Sequence, residues 1–405
     1  FLQQQHRLAR KLYLVSASSQ KLVNRVAQHL PLFEASQGSD EKTNLKGAAK
    51  LQAIKKLAGS SDFDYAGNES ADLAIWEKSA NAITVNASPN LKSRAAQVTN
   101  VSQSFDRDVA GLKNLFKAMR LHQWLKNGLL FLPPALAHQL GDIDSFVSVL
   151  LAFLSFSLCA SSVYLLNDLL DLEADRQHTS KRLRPFAAGT LPLSWGLVAS
   201  PILLLAAFSL ALQLPMAFVL ILAIYYLLTL FYSFALKSVA IVDVLVLAGL
   251  YTLRIIAGAV AISVTPTFWL LAFSMFLFLS LAIVKRFTEL DNLRNQNRHQ
   301  VAGRGYLAGD IQVMSMLGSA SGFMAVLVFA LYINAEETRR LYATPEILWL
   351  ICPLLLYLIS RIWLLAHRGV LHEDPVVFAI TDHRSQFVVL MCALLVWAAT
   401  GTWLN

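Results

Sequence analysis

Four acidic side chains crowd into NDLLDLEADR (167–176), directly behind a long apolar run. Asp168, Asp171 and Asp175 stand at i, i+3 and i+7, so a helix continuing through them stacks all three on one face. Three carboxylates on one face repel one another unless a cation sits between them. Hard oxygen donors suit Mg²⁺, which takes one or two carboxylates and fills its shell with phosphate oxygens and water. Such clusters serve diphosphate substrates, because the metal neutralises the leaving group. Glu173 falls off that face and is expected in solvent. The plainer alternative is a charged helix end balanced by the basic loop that follows.

That loop, HTSKRLRPFAAGTLP (178–192), supplies Lys181, Arg182 and Arg184, and acids followed by bases can grip a metal–diphosphate from two sides. Two later helix ends repeat the theme. YSFALKSVAIVD carries Tyr232, Lys237 and Asp243, and LAIVKRFTEL carries Lys285, Arg286 and Glu289. Arg254 of YTLRIIAG lies well inside an apolar segment, where a charge is costly and faces a partner or a polar cavity. An ion pair with Asp243 that holds a bundle together is the structural alternative for it.

The elements that must position these groups are membrane helices. Of the 405 residues 56% are hydrophobic and 15% charged, against about 25% charged in soluble domains. The apolar residues are unevenly spread: 1–115 read as a soluble domain, and the Ser/Gln/Asn-rich stretch 86–104 approaches a linker. Domain boundaries are expected at 1–100, a linker at 101–118 and a transmembrane domain at 119–405. Nine spans are expected, at 125–139, 145–167, 195–212, 214–235, 239–262, 267–284, 311–333, 346–365 and 386–404. The first is short and holds Pro133 and Pro134, with Trp124 and Lys126 as interfacial anchors. With the soluble domain in the cytoplasm, that side collects Arg176, Lys181, Arg182, Arg184, Lys237, Lys285, Arg286, Arg294, Arg298, Arg304, Arg368 and Arg384. The opposite loops hold only Arg339 and Arg340, so the acidic stretch is expected to face the cytoplasm from a cell membrane. The net charge of +8 follows from this topology and from anionic substrates rather than from nucleic acid. Cys159, Cys352 and Cys392 all sit in apolar runs and are expected to pack. His178, His299 and His383 are expected as solvated loop or interface residues.

NDxxDxxxD, then KRxRPxAxG, then YSxxLK, over about residues 115–405, resemble the UbiA superfamily of intramembrane transferases. The resemblance implies an all-α bundle in which Asn167, Asp168, Asp171 and Asp175 form a Mg²⁺–diphosphate site over a cavity open sideways to lipid. Lys181, Arg182 and Lys237 would be its basic partners. Prenyl-transferring members carry a second DxxxD motif; here Asp243 is followed four residues later by Leu247. RLHQWLKN (120–127), the Asp243–Arg254 region, KRFTEL and EDPVVFAITD instead resemble the decaprenyl-phosphate phosphoribosyltransferase branch. That branch takes phosphoribosyl diphosphate and a polyprenyl phosphate. It implies that Lys237, Arg254, Lys285 and Arg286 hold the 5-phosphate and the lipid phosphate, with Arg120 and Lys126 at the entrance. Tyr232, Asp243 and Glu289 complete the expected site. Prenyl transfer to another acceptor is the second reading, and a transporter with a polar path the third.

In the first hundred residues KLYLVSAS (11–18) reads as a strand ending in Ser16, KLQAIKKLAG as a helix, FDYAGNESADLAIW (63–76) as a strand running into an acidic turn, and NAITVN as another strand. This alternation predicts an α/β domain with parallel strands, and with functional residues at strand carboxyl ends. The order Ser, Lys, GNxxxD is similar to haloacid dehalogenase-like phosphatases. In that resemblance Ser16 binds phosphate, Lys50 (or Lys46) neutralises it, and Asp72 with Asn68 serves a Mg²⁺ side. That family usually has Asp where Asn68 stands, and the DxDGT nucleophile motif is absent from these 405 residues. It is expected upstream of Phe1, so this stretch alone is expected to lack phosphatase activity. A degenerate scaffold domain is the alternative. A complete phosphatase fused here would remove the 5-phosphate from a lipid-linked phosphoribose.

Overall fold

The computed structural model describes residues 1–40, 43–59, 62–106, 111–177, 180–295, 304–371 and 375–401. It divides into two compact units, Phe1–Val109 and Ala110–Asn405.

The first unit is α/β with parallel strands, as the alternation predicts. Strand β1 (Tyr13–Ser19) pairs in parallel with β2 (Ala35–Ser39). Strands β3 (Asp64–Gly67), β4 (Asn81–Val85) and β5 (Asn100–Phe105) form a second parallel sheet in that order. Helices Gln20–His29 and Pro89–Val98 make the crossovers β1–β2 and β4–β5. The second of these starts cleanly because Ser88 Oγ accepts from Leu91 N–H and Pro89 needs no donor partner. Fully buried Trp76 packs with Ala82, Leu91 and Ala95, and its indole N–H donates to the Tyr65 carbonyl at 3.0 Å. The stretch expected as a linker, 101–118, holds most of β5 and the helix Gly111–Ala118. Its polar VSQSF pattern hides a strand because β5 is an edge with largely exposed side chains.

The second unit is helical. Its apolar helices are α1 (Ile143–Leu170), α2 (Leu193–Ala211), α3 (Met216–Phe234), α4 (Val242–Ala261), α5 (Phe268–Asn295), α6 (Ile311–Asn334), α7 (Ile351–His367) and α8 (His383–Ala399). A 3₁₀ turn, Pro345–Leu350, lengthens α7, and with it seven helices among the described residues are long and apolar enough to cross a membrane. The shorter α8 does not reach that length. The expected span 125–139 is instead a 3₁₀ segment, Leu121–Phe131, followed by the short helix Leu132–Leu136. Pro133 and Pro134 have no N–H to give, so one continuous α-helix cannot run through them. Arg120 at the start of this segment touches Asp168, while His138 just beyond its end meets the Tyr342 ring edge-on at 5.4 Å.

Helices α1 and α4 are the central ones: 61% of their apolar windows is buried, against 11% for α2 and 17% for α3. Leu197, Leu205, Phe231 and Phe234 on the outer two present large apolar faces outward. Close packing at the centre depends on Gly258 of α4, where a Cβ would lie 2.2 Å from the Leu130 carbonyl oxygen. That contact seats the 3₁₀ segment against α4.

Candidate functional site

Helix α1 stops at Leu170, with Asp171 as its C-cap, and a separate short helix Leu172–Gln177 follows. The predicted continuous face of three carboxylates is therefore broken. Asp168 and Asp175 are both 2% exposed and converge, whereas Asp171 is exposed and lies 3.9 Å from Lys237 Nζ. Glu173 is exposed, as expected.

What joins Asp168 to Asp175 is Arg184. Its Nη1 lies 3.2 Å from Asp168 Oδ1 and 2.6 Å from Asp175 Oδ2. Arg120 reaches the same Asp168 oxygen, its guanidinium 5.1 Å from the Tyr164 ring centre. The loop that carries Arg184 is pinned by Phe186 and Leu191, both 1% exposed and packed with Leu165 and Met119. Asn114 Nδ2 also donates to the Thr190 carbonyl at 3.1 Å. Of the basic residues of this loop, Lys181 and Arg182 are exposed, and Arg184 contacts both buried acids. Asn167 donates to Ser233 Oγ at 3.0 Å, tying α1 to the last turn of α3.

The residue before Ser233 opens a second node. Tyr232 OH donates to Asp243 Oδ1 at 2.7 Å, and Arg304 Nη1 reaches the same oxygen at 3.2 Å. Arg286 Nε lies 2.6 Å from Asp243 Oδ2, an ion pair whose approach falls outside hydrogen-bond geometry. Arg286 also contacts Glu289, which Arg304 Nε approaches at 3.4 Å. Half-buried Lys285 precedes Arg286 on α5. Arg304, assigned from sequence only to the basic loops, is thus a site residue. Its loop docks tightly: Tyr306 OH accepts from Ile241 N–H at 2.9 Å, and a Cβ on Gly305 would meet the Ser238 carbonyl oxygen at 2.5 Å.

Arg254 belongs to a third node and does not pair with Asp243. Its Nε donates to Asn127 Oδ1 at 2.8 Å, Nη1 to the Leu250 carbonyl at 2.6 Å and Nη2 to Tyr225 OH at 2.9 Å. Asn127 Nδ2 in turn donates to Ser157 Oγ at 2.9 Å. Tyr225 and Tyr251 face the guanidinium with their rings, and Lys126 Nζ is 5.8 Å from the Tyr251 centre. Trp124, expected at the interface, donates to Ser161 Oγ of α1 at 2.9 Å. Ser157 precedes Asp168, and Arg254 follows Asp243, by the same interval, so this node lies about 16 Å deeper than the acids on both helices. Tyr225 escaped the sequence reading as one neutral polar group in an apolar segment, and Asn127 because it stands beside the charged residues of RLHQWLKN. The signal available was Arg254 itself, which demands acceptors.

In the first unit Lys50 Nζ lies 3.4 Å from Asp72 Oδ1 and 3.0 Å from Tyr65 OH, and Asp72 Oδ2 accepts from Asn68 and Glu69 N–H, both at 3.0 Å. Burial raises the Asp72 pKa, but the two backbone donors and Lys50 outweigh it and hold the carboxyl below its usual range. Burial and the neighbouring Asp72 push the Tyr65 phenol up. Ser16 lies inside β1 rather than at its end, with its Oγ accepting from Ser18 N–H. Lys46 pairs with Glu69 at 3.8 Å on the surface, so Lys50 is the lysine at Asp72. His383 is exposed at the start of α8, and Cys159 is buried in the core beside Phe156. His178, His299 and the first residues of EDPVVFAITD lie outside the described residues.

Among the described residues no three His, Cys, Asp or Glu side chains converge as a metal site. The donors nevertheless fit a hard divalent cation, since a cationic guanidinium already stands between two buried carboxylates. Asp168 and Asp175 would be the ligands, and the metal would neutralise a diphosphate leaving group there.

The fold is a bundle of apolar helices with buried acids at one helix end and a base of the following loop between them. The chain belongs to the UbiA prenyltransferase family, whose model matches residues 129–376. The uncharacterized protein y4nM of Sinorhizobium fredii is 37% identical over 390 residues, spanning 95% of this chain and 75% of that protein, so both units recur there in one chain. Decaprenyl-phosphate phosphoribosyltransferase of Mycobacterium tuberculosis is 38% identical over 178 residues, 43% of this chain and 59% of that protein. A UbiA homolog from Archaeoglobus fulgidus, solved with GPP and Mg²⁺, superposes with a TM-score of 0.53 at 14% identity, covering 71% of this chain and 100% of that one. At that identity the likeness speaks for the fold.

Proposed function

We propose that the second unit transfers 5-phosphoribose from phosphoribosyl diphosphate to a polyprenyl phosphate, using Mg²⁺. The observation that carries this reading is the second node. Where a prenyltransferase would offer more carboxylate for metal, Asp243 is enclosed by Arg286 and Arg304, with Lys237 and Lys285 close by in sequence. Such a node suits a donor with an additional phosphate. The similarity to decaprenyl-phosphate phosphoribosyltransferase supports the same donor.

In this mechanism Asp168 and Asp175 hold the metal, which supplies charge neutralisation of the departing diphosphate. Arg120, Arg184 and Lys237 bind diphosphate oxygens and fix the donor's position. Arg304 and Lys285 take the 5-phosphate, with Arg286, enclosed against Asp243, supporting them from behind. The lipid phosphate, already anionic, attacks C1 of the ribose; the C1–O bond to diphosphate breaks and its electrons leave with the diphosphate. No proton must be removed from the nucleophile, so the carboxylates serve binding rather than base catalysis. Arg254 holds the bundle together below the acids, its donors being committed to Asn127, Tyr225 and Leu250.

The bundle crosses a cell membrane nine times in this reading, with Leu121–Leu136 as the first crossing. Run in line, its 3₁₀ and α parts reach about 30 Å, the thickness of a bilayer core. The contacts Arg120–Asp168 and His138–Tyr342 support it, since α1 and α6 place Asp168 and Tyr342 at opposite ends. The basic helix ends, the acids and the first unit face the cytoplasm. For the first unit, the pairing of Lys50 with Asp72 supports a phosphatase-like reading, in which a complete domain would remove the 5-phosphate from the lipid product.

The test is Mg²⁺-dependent transfer from labelled phosphoribosyl diphosphate to polyprenyl phosphate, with Asp168→Ala as control. Label in the lipid that disappears in the variant is the expected result. The second reading, prenyl transfer, is favoured by the match to the prenyltransferase family model. It replaces the first if the protein consumes prenyl diphosphate and leaves phosphoribosyl diphosphate untouched.

A further inference from the structure

Resting on the metal–diphosphate reading of the first node, we infer that Arg184 holds the cation position between Asp168 and Asp175 in the empty enzyme and exchanges it for the diphosphate when metal enters, so that metal and diphosphate bind as a coupled pair. One nitrogen, Arg184 Nη1, contacts both carboxylates, and those carboxylates are 2% and 3% exposed. Two buried anions that close are tolerable only with a cation between them. Arg120 cannot fill that role, because it touches Asp168 alone and is stacked on Tyr164.

Charge arithmetic then sets the order of events. Asp168, Asp175, Arg120 and Arg184 sum to zero. A divalent metal arriving alone must eject a guanidinium from two buried carboxylates without bringing an anion to receive it. A metal arriving with diphosphate gives the ejected guanidinium a phosphate oxygen to bind, which it does through the same planar donors. Arg184 has room to make this move: its side chain is 27% exposed, and it sits on a loop between the 3₁₀ turn Lys181–Leu183 and the anchored Phe186. Arg184 is on this account a positioning residue that suppresses metal binding without substrate. By linkage, diphosphate must tighten metal binding as much as metal tightens diphosphate binding.

Equilibrium dialysis of the purified full chain against Mn²⁺, with and without inorganic diphosphate, tests this. Wild type should bind Mn²⁺ weakly alone and about 10-fold more tightly with diphosphate. Arg184→Gln should bind Mn²⁺ alone about 5-fold more tightly than wild type and lose most of the diphosphate-dependent gain. Arg184→Lys, which keeps the charge, should restore weak binding of metal alone. A merely structural arginine would weaken metal binding on removal, so Arg184→Gln binding Mn²⁺ no tighter than wild type overturns the inference. If wild type with diphosphate retains no more Mn²⁺ than Asp168→Asn, the metal–diphosphate reading falls as well.

Discussion

Arg286 Nε lies 2.6 Å from Asp243 Oδ2 with the two side chains 2% and 0% exposed, so α4 and α5 are joined by an ion pair sealed from solvent. Removing one partner of such a pair leaves an uncompensated buried charge. Asp243→Asn should therefore destabilise the bundle by about 3–5 kcal/mol. Replacing both partners, with Asp243→Leu and Arg286→Met, should recover most of that loss, because the desolvation cost disappears with the charges. Denaturant unfolding of the micelle-embedded protein reads both. A double variant no more stable than Asp243→Asn would show that Asp243 acts through Tyr232 and Arg304 instead.

Arg304 differs from Arg286 in being 21% exposed, with contacts to Asp243, Tyr232 and Glu289 all between 3.2 and 3.4 Å. Its loss should cost stability little, about 1 kcal/mol or less. If it holds the donor's 5-phosphate, Arg304→Gln should raise KM for phosphoribosyl diphosphate about 10-fold or more while kcat changes less. Steady-state kinetics with varied donor decides this. An unchanged KM would leave Arg304 as a clip between the α5–α6 loop and the bundle.

Arg254 carries the opposite balance: a cation 5% exposed whose three nitrogens meet only neutral acceptors. Arg254→Met leaves Asn127 Oδ1 and Tyr225 OH without their donors, and stability should fall by about 1–3 kcal/mol. Adding Asn127→Leu to Arg254→Met should cost less than the two single losses added, since the groups share one network. Strict additivity in unfolding measurements would show that the node is not a unit.

The chemistry that was legible in the sequence was local. Asp168 and Asp175 are seven residues apart, Arg184 follows within ten residues, and YSxxLK…D and KRFTE each place their charges on one helix end. What the sequence hid was long-range or conformational. Nothing near Arg304 in the chain says that it returns to Asp243, sixty-one residues earlier, because the loop that brings it back is set by Tyr306 and Gly305 against the α3–α4 turn. The break at Asp171 was hidden too: periodicity gives a face only while the helix continues, and the C-cap turned one carboxylate out toward Lys237. Seven of the nine expected spans coincide with helices long and apolar enough to cross a membrane among the described residues. In the first, two prolines replace a continuous α-helix by a 3₁₀ segment and a short helix.

Asp72 gives the first unit an acid limit. Its folded pKa is depressed, because backbone donors and Lys50 outweigh the effect of burial, while the unfolded value is about 3.9. The unfolded chain therefore binds the proton more readily, and stability contributed by Asp72 is complete above the unfolded value. It is lost as pH falls through the lower, folded value. Asp72→Asn lacks this contribution at every pH. Pulse proteolysis of the full chain, scored by cleavage within residues 62–76, should show wild type more resistant than Asp72→Asn from pH 8 to about pH 5. The two should converge as pH drops below about 4. A gap that persists undiminished at pH 3 would mean that Asp72 stabilises the unit by shape rather than by charge.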